Sequence, residues 1–282
     1  MKFSIITASF NQLPWLKRCV RSVADQTGGM EVEHIIQDAG TGAELEDWLR
    51  VHSTARVFTE KDRGMYDALN RGLRRAGGDV IGILNCDEQY LPGAFSLVEQ
   101  AFRAHPGADI VAGDYLLLNA AGGLLSFRRA TKLRASMILS DHLYDFTCAM
   151  FYSRSFIDRG FLFDPEFRVT GDAEWVSRLL SNGGRAICVR GYLAAFAMTG
   201  SNMSLSAKGR EEAARLRKTA PRWASYAAPL LRQARHVEKL LAGGYHSGPI
   251  AYEVYADESD QSRTRYICEK PAFRHPWNDS IL

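Results

Sequence analysis

Residues 60–88 read EKDRGMYDALNRGLRRAGGDVIGILNCDE, and the order of patterns in this stretch decides the fold. Apolar and small residues recur at intervals of three and four over residues 65–76, which predicts a helix with one buried face. Gly77 and Gly78 follow it, and glycine ends a helix easily because it adopts the left-handed conformation without steric cost. The apolar run over residues 80–84 then predicts a short strand that is buried on both faces.

The predicted strand ends in polar residues: Asn85, Cys86, Asp87 and Glu88. In open α/β sheets, ligands bind beyond the carboxyl ends of the strands. Two carboxylates and an amide at such an edge would suit a hard divalent cation, Mn²⁺ or Mg²⁺, because these ions prefer oxygen ligands and bridge to phosphates. The alternative interpretation is a solvated acidic turn, and the local pattern by itself leaves both open.

Strand and helix patterns alternate over the first ninety residues, which favours a parallel sheet with crossover helices. Strands are expected at residues 3–11, 32–37 and 55–58, with helices between them. Pro14 suits the first turn of the first helix, and Asn11 is its expected cap. Because parallel strands end on the same side of a sheet, the strand ends should bring together the side chains of Thr7, Ser9, Asp38 and Asp87.

Two other nucleotide-binding classes lack their required motifs. A dinucleotide site needs a Gly-x-Gly-x-x-Gly turn after the first strand, whereas this chain has ASFN at residues 8–11. A Gly-rich phosphate loop ending in Lys-Ser/Thr is also missing. A sugar nucleotidylyltransferase, another enzyme class with an α/β nucleotide site, would require a glycine-rich basic loop after the first strand, and none is found there.

Composition sets further bounds. The chain has 282 residues, 46% of them hydrophobic, and a formal net charge of +3, which is too small to indicate a nucleic-acid partner. Five scattered cysteines form no CxxC pair, which favours reduced thiols in a cytoplasmic protein. Neither a signal peptide nor an apolar run of about 20 residues is apparent, so any membrane contact is expected to be peripheral, on the inner face.

The second informative stretch is GDAEWVSRL at residues 171–179. Apolar residues follow Asp172 at helical spacing, so Asp172 is expected at or near a helix start, where backbone N–H groups favour a carboxylate. A plain helix cap is the alternative. Between the two informative stretches, the pattern predicts a strand at 109–112, a hairpin at 115–128 and a strand at 146–151.

These motifs together resemble the family 2 glycosyltransferases with the A-type fold, most closely the bacterial members that build surface polysaccharides. The resemblance covers residues 1 to about 215. It is carried by SIITASFN, by QDAGTG, by the segment at 60–88, and by GDAEWVSRL. It implies an α/β fold with a mostly parallel central sheet flanked by helices. It also implies transfer of a sugar from a nucleoside diphosphate sugar to a hydroxyl of a saccharide or lipid-linked saccharide, mostly with inversion.

The resemblance also implies roles for individual residues. Asp87 corresponds to the main metal ligand of an Asp-x-Asp motif, in which Asn85 takes the first place. Asp172 corresponds to the general base, with Glu174 as the second choice. The residues expected to bind the nucleotide are Thr7, Ser9, Asp38, Glu60, Asp62 and Asn85. A turn-forming role is the alternative for Asp38.

The chain is expected to divide into a catalytic domain, residues 1–205, and an extension, residues 206–282. The extension begins with two or three basic helices over 207–242 and continues into a hairpin formed by 252–255 and 264–268. The basic helices are either a solvated face or a surface that meets anionic lipid headgroups. The oligomeric state is left open. The alternative function is that of a degenerate family member that binds a nucleotide sugar or a partner without catalysis.

Overall fold

The structure is a computed structural model that describes residues 1–26, 29–52, 54–199 and 206–274. Within these residues, nine strands form one sheet and two form a separate hairpin. The strands of the large sheet are β1 (Lys2–Ser9), β2 (Glu31–Asp38), β3 (Arg56–Thr59), β4 (Val80–Ile83), β5 (Glu88–Tyr90), β6 (Ile110–Asn119), β7 (Leu124–Arg128), β8 (Met150–Ser153) and β9 (Ala186–Met198). The hairpin consists of β10 (Ile250–Val254) and β11 (Thr264–Cys268).

Helices lie between the strands and after the large sheet. They are α1 (Leu13–Ala24), α2 (Ala43–His52), α3 (Met65–Arg75), α4 (Ala94–Ala104), α5 (Ala135–Ser140), α6 (Ser155–Asp158), α7 (Gly171–Ser181), α8 (Ala207–Arg217), α9 (Arg222–Tyr226) and α10 (Ala228–Leu241). A short 3₁₀ helix spans Thr147–Ala149. Within the described ranges, no helix is both long enough and apolar enough to cross a membrane.

The sheet has the order β3-β2-β1-β4-β8-β6-β9-β5, and β7 pairs with β6. Strands β3, β2, β1 and β4 are parallel, as the alternating pattern predicts. Beyond β4 the sheet is mixed, because β8 runs antiparallel to both β4 and β6. Strands β1 to β4, within residues 2–83, therefore form the parallel half, in which all four strands end on the same side.

Both faces of the sheet are covered by helices. Strand β1 shows why: Phe3 and Ile5 pack with residues of α1 and α4, whereas Ile6 points to the other face and packs with residues of α3 and α7. This alternation follows from the two-residue period of a strand. The helix predicted over residues 65–76 is α3, and its buried face includes Leu69 and Leu73.

Several local predictions are wrong in detail. Asn11 does not cap α1 with its side chain and instead adopts a positive φ of 51°. Gly77 and Gly78 do not take the left-handed conformation, since they are not among the residues with positive φ. Gly78 is needed for close approach, because a Cβ there would lie 2.8 Å from the Lys2 carbonyl oxygen.

Two further strand predictions are corrected by pairing across the sheet. The strand predicted at 109–112 does not end at the following Gly-Asp pair, because β6 pairs with β9 as far as Asn119, with shifts of register on both sides of Asp114. Residues 147–149 form a 3₁₀ turn rather than a strand, and β8 begins at Met150. In both cases long-range hydrogen bonding overrides the local pattern.

The residues after 206 form the three helices and the hairpin that the sequence predicts. They pack against the rest of the chain. Ile250, Tyr252 and Val254 form a core cluster with Leu116 and Phe127 of the large sheet. The boundary predicted at residue 205 lies outside the described residues, so the division into two domains stays a prediction.

Candidate active site

The carboxyl ends of the parallel strands meet at one edge of the sheet. Ser9 and Asp38 are register partners at the ends of β1 and β2. The chain leaving β4 returns to this edge, where the Cys86 thiol donates to the Ala8 carbonyl oxygen at 3.1 Å. The backbone N–H of Glu60 donates to the Asp38 carbonyl oxygen at 2.9 Å. The predicted edge, with Asp87 one residue beyond Cys86, is therefore present.

A pair of acids follows β4. Glu88 is buried, and its Oε2 accepts a hydrogen bond from the Asn85 backbone N–H at 2.6 Å. Burial raises the pKa of both Asp87 and Glu88, and the charge of Asp87 raises the pKa of Glu88 further. The side-chain oxygen of Asn85 is also buried and has no hydrogen-bond partner. An unpartnered buried carbonyl oxygen and carboxylates with raised pKa values fit a cation, which would satisfy the oxygen and favour ionised carboxylates.

In the part of the chain that the structure describes, no three His, Cys, Asp or Glu side chains are grouped so that they could hold a metal ion by themselves. Asn85 and Asp87 could therefore supply only part of a coordination shell. Mg²⁺ and Mn²⁺ sites of this kind use one or two carboxylates, and substrate phosphates complete the shell. The donor set fits an ion that binds together with a diphosphate.

Asp38 is buried and forms a local turn. Its Oδ2 accepts hydrogen bonds from the backbone N–H groups of Gly40 at 3.2 Å and Thr41 at 2.8 Å. Its Oδ1 accepts from the Thr41 hydroxyl at 2.6 Å. The geometry favours the turn-forming interpretation of its side chain, while Ser9, whose hydroxyl lies 3.5 Å from that of Thr41, borders the same turn. Contact of Asp38 with a nucleoside stays a prediction.

Two predicted nucleotide-binding side chains are engaged elsewhere. Thr7 is fully buried on the α1 side of β1, because strand alternation places it on the same face as Ile5, and its hydroxyl lies 2.9 Å from Nε2 of His34. Burial lowers the pKa of His34 to about 3, so its ring is neutral. Glu60 forms ion pairs with Arg71 at 3.2 Å and with Arg75 at 2.6 Å. The side chain of Thr7 thus lies in the core, and contact of Thr7 or Glu60 with a nucleotide stays a prediction.

The charged turn before α3 is ordered by its own acids. Asp62 accepts a hydrogen bond from the Gly64 backbone N–H at 2.8 Å, and Asp67 accepts one from the Arg63 N–H at 3.1 Å. Gly64 has φ of +120°, which strongly favours glycine at this position. The turn therefore presents Asp62 next to the start of α3 on a well-defined backbone.

The start of α7 carries the two predicted catalytic acids. Asp172 is half-buried, and its Oδ1 accepts a hydrogen bond from the Ala173 N–H at 2.8 Å. Burial raises the pKa of Asp172 to about 6. Glu174, two residues further, is held by Arg178 through contacts of 2.7 and 3.1 Å. Of the two predicted catalytic acids, Glu174 forms an ion pair with Arg178, whereas Asp172 forms none with the residues that the structure describes.

Tyr66 joins α3 to the start of α7. The Asp172 backbone N–H donates to the Tyr66 hydroxyl oxygen at 3.2 Å, and this hydroxyl donates to the Val169 carbonyl oxygen at 2.9 Å. The ring lies against Gly171, where a Cβ would come within 2.6 Å of Cε2. Tyr66 belongs to the motif GMYDALN, but its contact with α7 spans 106 residues and has no local signal in the sequence.

Glu212, a residue of α8, is the functional candidate that sequence patterns miss. It is buried, and its carboxylate accepts hydrogen bonds from the backbone N–H groups of Arg168 at 2.8 Å, Val169 at 2.9 Å and Thr170 at 3.0 Å. Burial raises its pKa, but these N–H groups outweigh that effect, so the net pKa is lowered. The loop that leads into Asp172 is thus held by a residue from the predicted extension.

Asp145 is a second buried acid outside the sheet edge. Burial raises its pKa to about 7, partly opposed by the positive charge of Arg235. Its Oδ2 lies 3.4 Å from the Thr131 backbone nitrogen, from which it accepts a hydrogen bond. It lies between the sheet and the C-terminal helices rather than beside Asp87 or Asp172 in any contact that the structure records.

Several known proteins are similar to this chain in sequence. Residues 4–161 match the family model of Glycosyl transferase family 2. An uncharacterised glycosyltransferase of Mycobacterium tuberculosis is 28% identical over 184 residues, which cover 62% of this chain and 67% of that protein. A PGL/p-HBAD biosynthesis glycosyltransferase of Mycobacterium bovis is 30% identical over 121 residues, covering 41% and 47% respectively.

Solved structures share the fold. The crystal structure of S. aureus TarS residues 1–349 in complex with UDP-GlcNAc superposes with a TM-score of 0.59 at 15% identity, covering 86% of this chain and 75% of that one. A complex of the same protein with UDP gives a TM-score of 0.57. These neighbours have the glycosyltransferase A-type fold, which confirms the predicted fold class.

Proposed function

Because the chain belongs to glycosyl transferase family 2, we propose that it moves one sugar from a nucleoside diphosphate sugar to an acceptor hydroxyl with inversion at the anomeric carbon. The observation that carries this proposal is the contact between the start of α7 and α3, the helix that follows the charged turn at the sheet edge. The acids after β4 lie at the sheet edge, and Asp172 lies at the start of α7, which Tyr66 joins to α3. An inverting transfer needs a base and a leaving-group site on opposite sides of the sugar.

Asp172 is the proposed base. With a pKa of about 6, it is largely ionised at neutral pH yet is a stronger base than an ordinary aspartate. It would take the proton of the acceptor hydroxyl while the hydroxyl oxygen bonds to the anomeric carbon. The bond from that carbon to the diphosphate oxygen breaks in the same step, and the nucleoside diphosphate leaves with the electron pair.

Asn85 and Asp87 are the proposed protein ligands of Mn²⁺ or Mg²⁺. When bound, such an ion neutralises the charge that grows on the departing diphosphate. The unpartnered oxygen of Asn85 supports this assignment, since an amide in the first place of the motif still offers an oxygen. Ser9 and Asp62, at the same sheet edge, are proposed to contact the nucleotide, with Asp38 shaping the turn beside them.

The comparisons support the chemical class of both substrates. The two TarS structures are complexes with UDP-GlcNAc and with UDP, which supports a nucleoside diphosphate sugar as donor. The name of the M. bovis relative refers to PGL/p-HBAD biosynthesis, which supports an acceptor in surface polysaccharide or glycolipid biosynthesis. We propose a saccharide or lipid-linked saccharide acceptor.

A panel of UDP-, GDP-, dTDP- and ADP-sugars with Mn²⁺, Mg²⁺ or EDTA tests the proposal. A donor that binds only the native state raises the thermal midpoint, and an active enzyme slowly releases its nucleoside diphosphate. Binding with release supports the enzyme. Binding of a nucleotide sugar without release, even with acceptors added, would favour the degenerate binding protein. No shift with any nucleotide in the presence of metal would overturn both.

A further inference from the structure

Helix α10 presents its apolar side outward. Its inner side is held by polar contacts: Arg134 donates two hydrogen bonds to Glu238, at 2.8 and 2.5 Å, and the guanidinium of Arg235 lies 4.3 Å from the centre of the Tyr144 ring. These contacts fix how the helix is rotated. The α10 outer face is here defined as Leu230, Gln233, Ala234, His236, Val237, Leu240 and Leu241, which are all exposed. Pro229 and Arg232 are exposed as well, and Arg232 forms an ion pair with Asp141 at 3.7 Å.

The α10 outer face is exposed although most of it is apolar. Leu230 is 74% exposed, Val237 56% and Leu241 82%. Their spacings of seven and four residues place them in one stripe along the helix. A surface helix normally turns such a stripe toward the core and its charges toward water. On α10 this stripe faces water, which marks the face as one that a partner covers.

Exposed aromatic residues lie on the preceding helix. Trp223 and Tyr226 of α9 are 59% and 86% exposed. Tryptophan and tyrosine are enriched where an apolar environment meets water, particularly at membrane interfaces. The two helices are joined at Ala227, so the aromatic pair and the apolar stripe are consecutive in the chain.

The segment that carries this face is strongly basic. Residues 207–242 contain nine Lys or Arg and three Glu, whereas the other residues of the chain contain 26 Lys or Arg and 29 Asp or Glu. The segment therefore has a formal charge of +6 and the remainder −3. Two copies that paired through this face would bring like charges together, whereas an anionic bilayer complements both the charge and the apolar stripe.

We propose that α9 and α10 form a membrane-docking surface, with the α10 outer face and the two α9 aromatic side chains inserted at the interface of an anionic lipid bilayer. The exposed Lys and Arg residues of 207–242 would attract the anionic headgroups, and the apolar side chains would enter the boundary between headgroups and acyl chains. This goes beyond the proposed transfer reaction and does not depend on it, because the surface lies outside the site of Asp87 and Asp172.

The test uses the full chain and sedimentation with vesicles, either of phosphatidylcholine alone or of phosphatidylcholine and phosphatidylglycerol in equal parts. We expect clear binding only to the anionic vesicles at low salt. A Leu230→Ser, Val237→Ser, Leu241→Ser variant keeps every charge, so it tests the apolar face separately. It should bind at least about tenfold more weakly, since insertion strength scales with buried apolar area.

The matched control is Val51→Ser with Ile267→Ser, which alters two exposed apolar side chains on other elements. It should bind like the unmodified chain, and circular dichroism should show that both variants fold. Equal binding to neutral vesicles, or unchanged binding of the α10 variant, would overturn the proposal. So would a dimer in analytical ultracentrifugation that the α10 variant dissociates while no vesicle binding occurs. Donor hydrolysis without lipid should be the same in all variants, which separates this test from that of the transfer reaction.

Discussion

The hydroxyl oxygen of Tyr66 lies 3.2 Å from the backbone nitrogen of Asp172 and 3.4 Å from its Oδ1. One side chain of α3 therefore contacts both the backbone and the carboxylate at the start of α7. The Tyr66 ring also stacks on Phe163, with ring centres 5.2 Å apart, and closely covers Gly171. The position of the proposed base is thus tied to α3, the helix that follows the charged turn at the sheet edge.

Replacing Tyr66 with phenylalanine should change the pKa of Asp172. The hydrogen bond from Tyr66 lowers that pKa, so its loss should raise the pKa further above about 6. The acidic limb of a kcat/KM profile should then move to higher pH, and turnover at neutral pH should fall about fivefold, the equivalent of one hydrogen bond. Tyr245→Phe, a change outside the site, is the control. Slower turnover with an unmoved pH profile would show that Tyr66 is only structural.

Asp172→Asn keeps shape but removes the base. Turnover should fall by about 10² to 10⁴, while the dissociation constant of the donor changes little. In the unmodified enzyme the base works in its ionised form, so kcat/KM should rise with pH up to about 6 and level off above it. Glu174→Gln should have a much smaller effect because Arg178 already pairs with Glu174. A dead Glu174→Gln variant beside an active Asp172→Asn variant would reverse the assignment.

Glu212→Gln should loosen the loop before Asp172. A glutamine can present only one acceptor oxygen to three backbone N–H groups, and unsatisfied buried groups cost about 1–3 kcal/mol. The free energy of unfolding, measured by urea denaturation, should fall by that order, and turnover should fall with it. Because the pKa of Glu212 is lowered by folding, its stabilisation is present at neutral pH and is lost as the pH falls through the folded-state pKa.

The neighbouring Glu211 provides a matched control for that prediction. Its side chain is 71% exposed and contacts only Lys208 in the ion pairs that the structure records. Glu211→Gln should leave stability and turnover nearly unchanged. Equal effects of the two substitutions would mean that the charge of α8, rather than the contacts of Glu212, is responsible.

Asp87→Ala should weaken binding of nucleoside diphosphate far more in the presence of Mn²⁺ or Mg²⁺ than in EDTA. The physical reason is that the variant loses a metal ligand, so the ion no longer links protein and phosphate. Isothermal titration under both conditions measures the difference. Asp47→Ala, whose side chain is 68% exposed on α2, is the control. Equal weakening with and without metal would count against Asp87 as a ligand.

Asp145→Asn should flatten the dependence of stability on pH. Folding raises the pKa of Asp145 to about 7, so its contribution is fully present below its unfolded-state pKa and is lost as the pH rises through about 7. The difference in thermal midpoint between the variant and the unmodified chain should therefore favour the variant more at pH 8 than at pH 5. Asp158→Asn, at an exposed site, should show no such gain. A constant difference between the two pH values would contradict the prediction.

Much of the site could be predicted because its signals are local. The periodicity of residues 65–75 identifies α3, and the polar residues that follow β4 identify the ligand edge. Asp172 is predicted beside a helix start and lies in the first turn of α7. Each of these signals depends on residues within a few positions of one another. Because parallel strands all end on one side of the sheet, the polar residues that follow them are expected at the same edge.

What the sequence by itself determined is the family of folds, the parallel half of the sheet, the acids at its edge and the basic character of residues 207–242. Only the tertiary structure decided which polar side chains pair with other groups of the protein. Thr7 meets His34, Glu60 meets Arg75, and Glu212 holds the loop before Asp172. The outward turn of the α10 outer face was also decided there. The physical reason is that burial and pairing arise between residues far apart in the chain, for which local periodicity carries no signal.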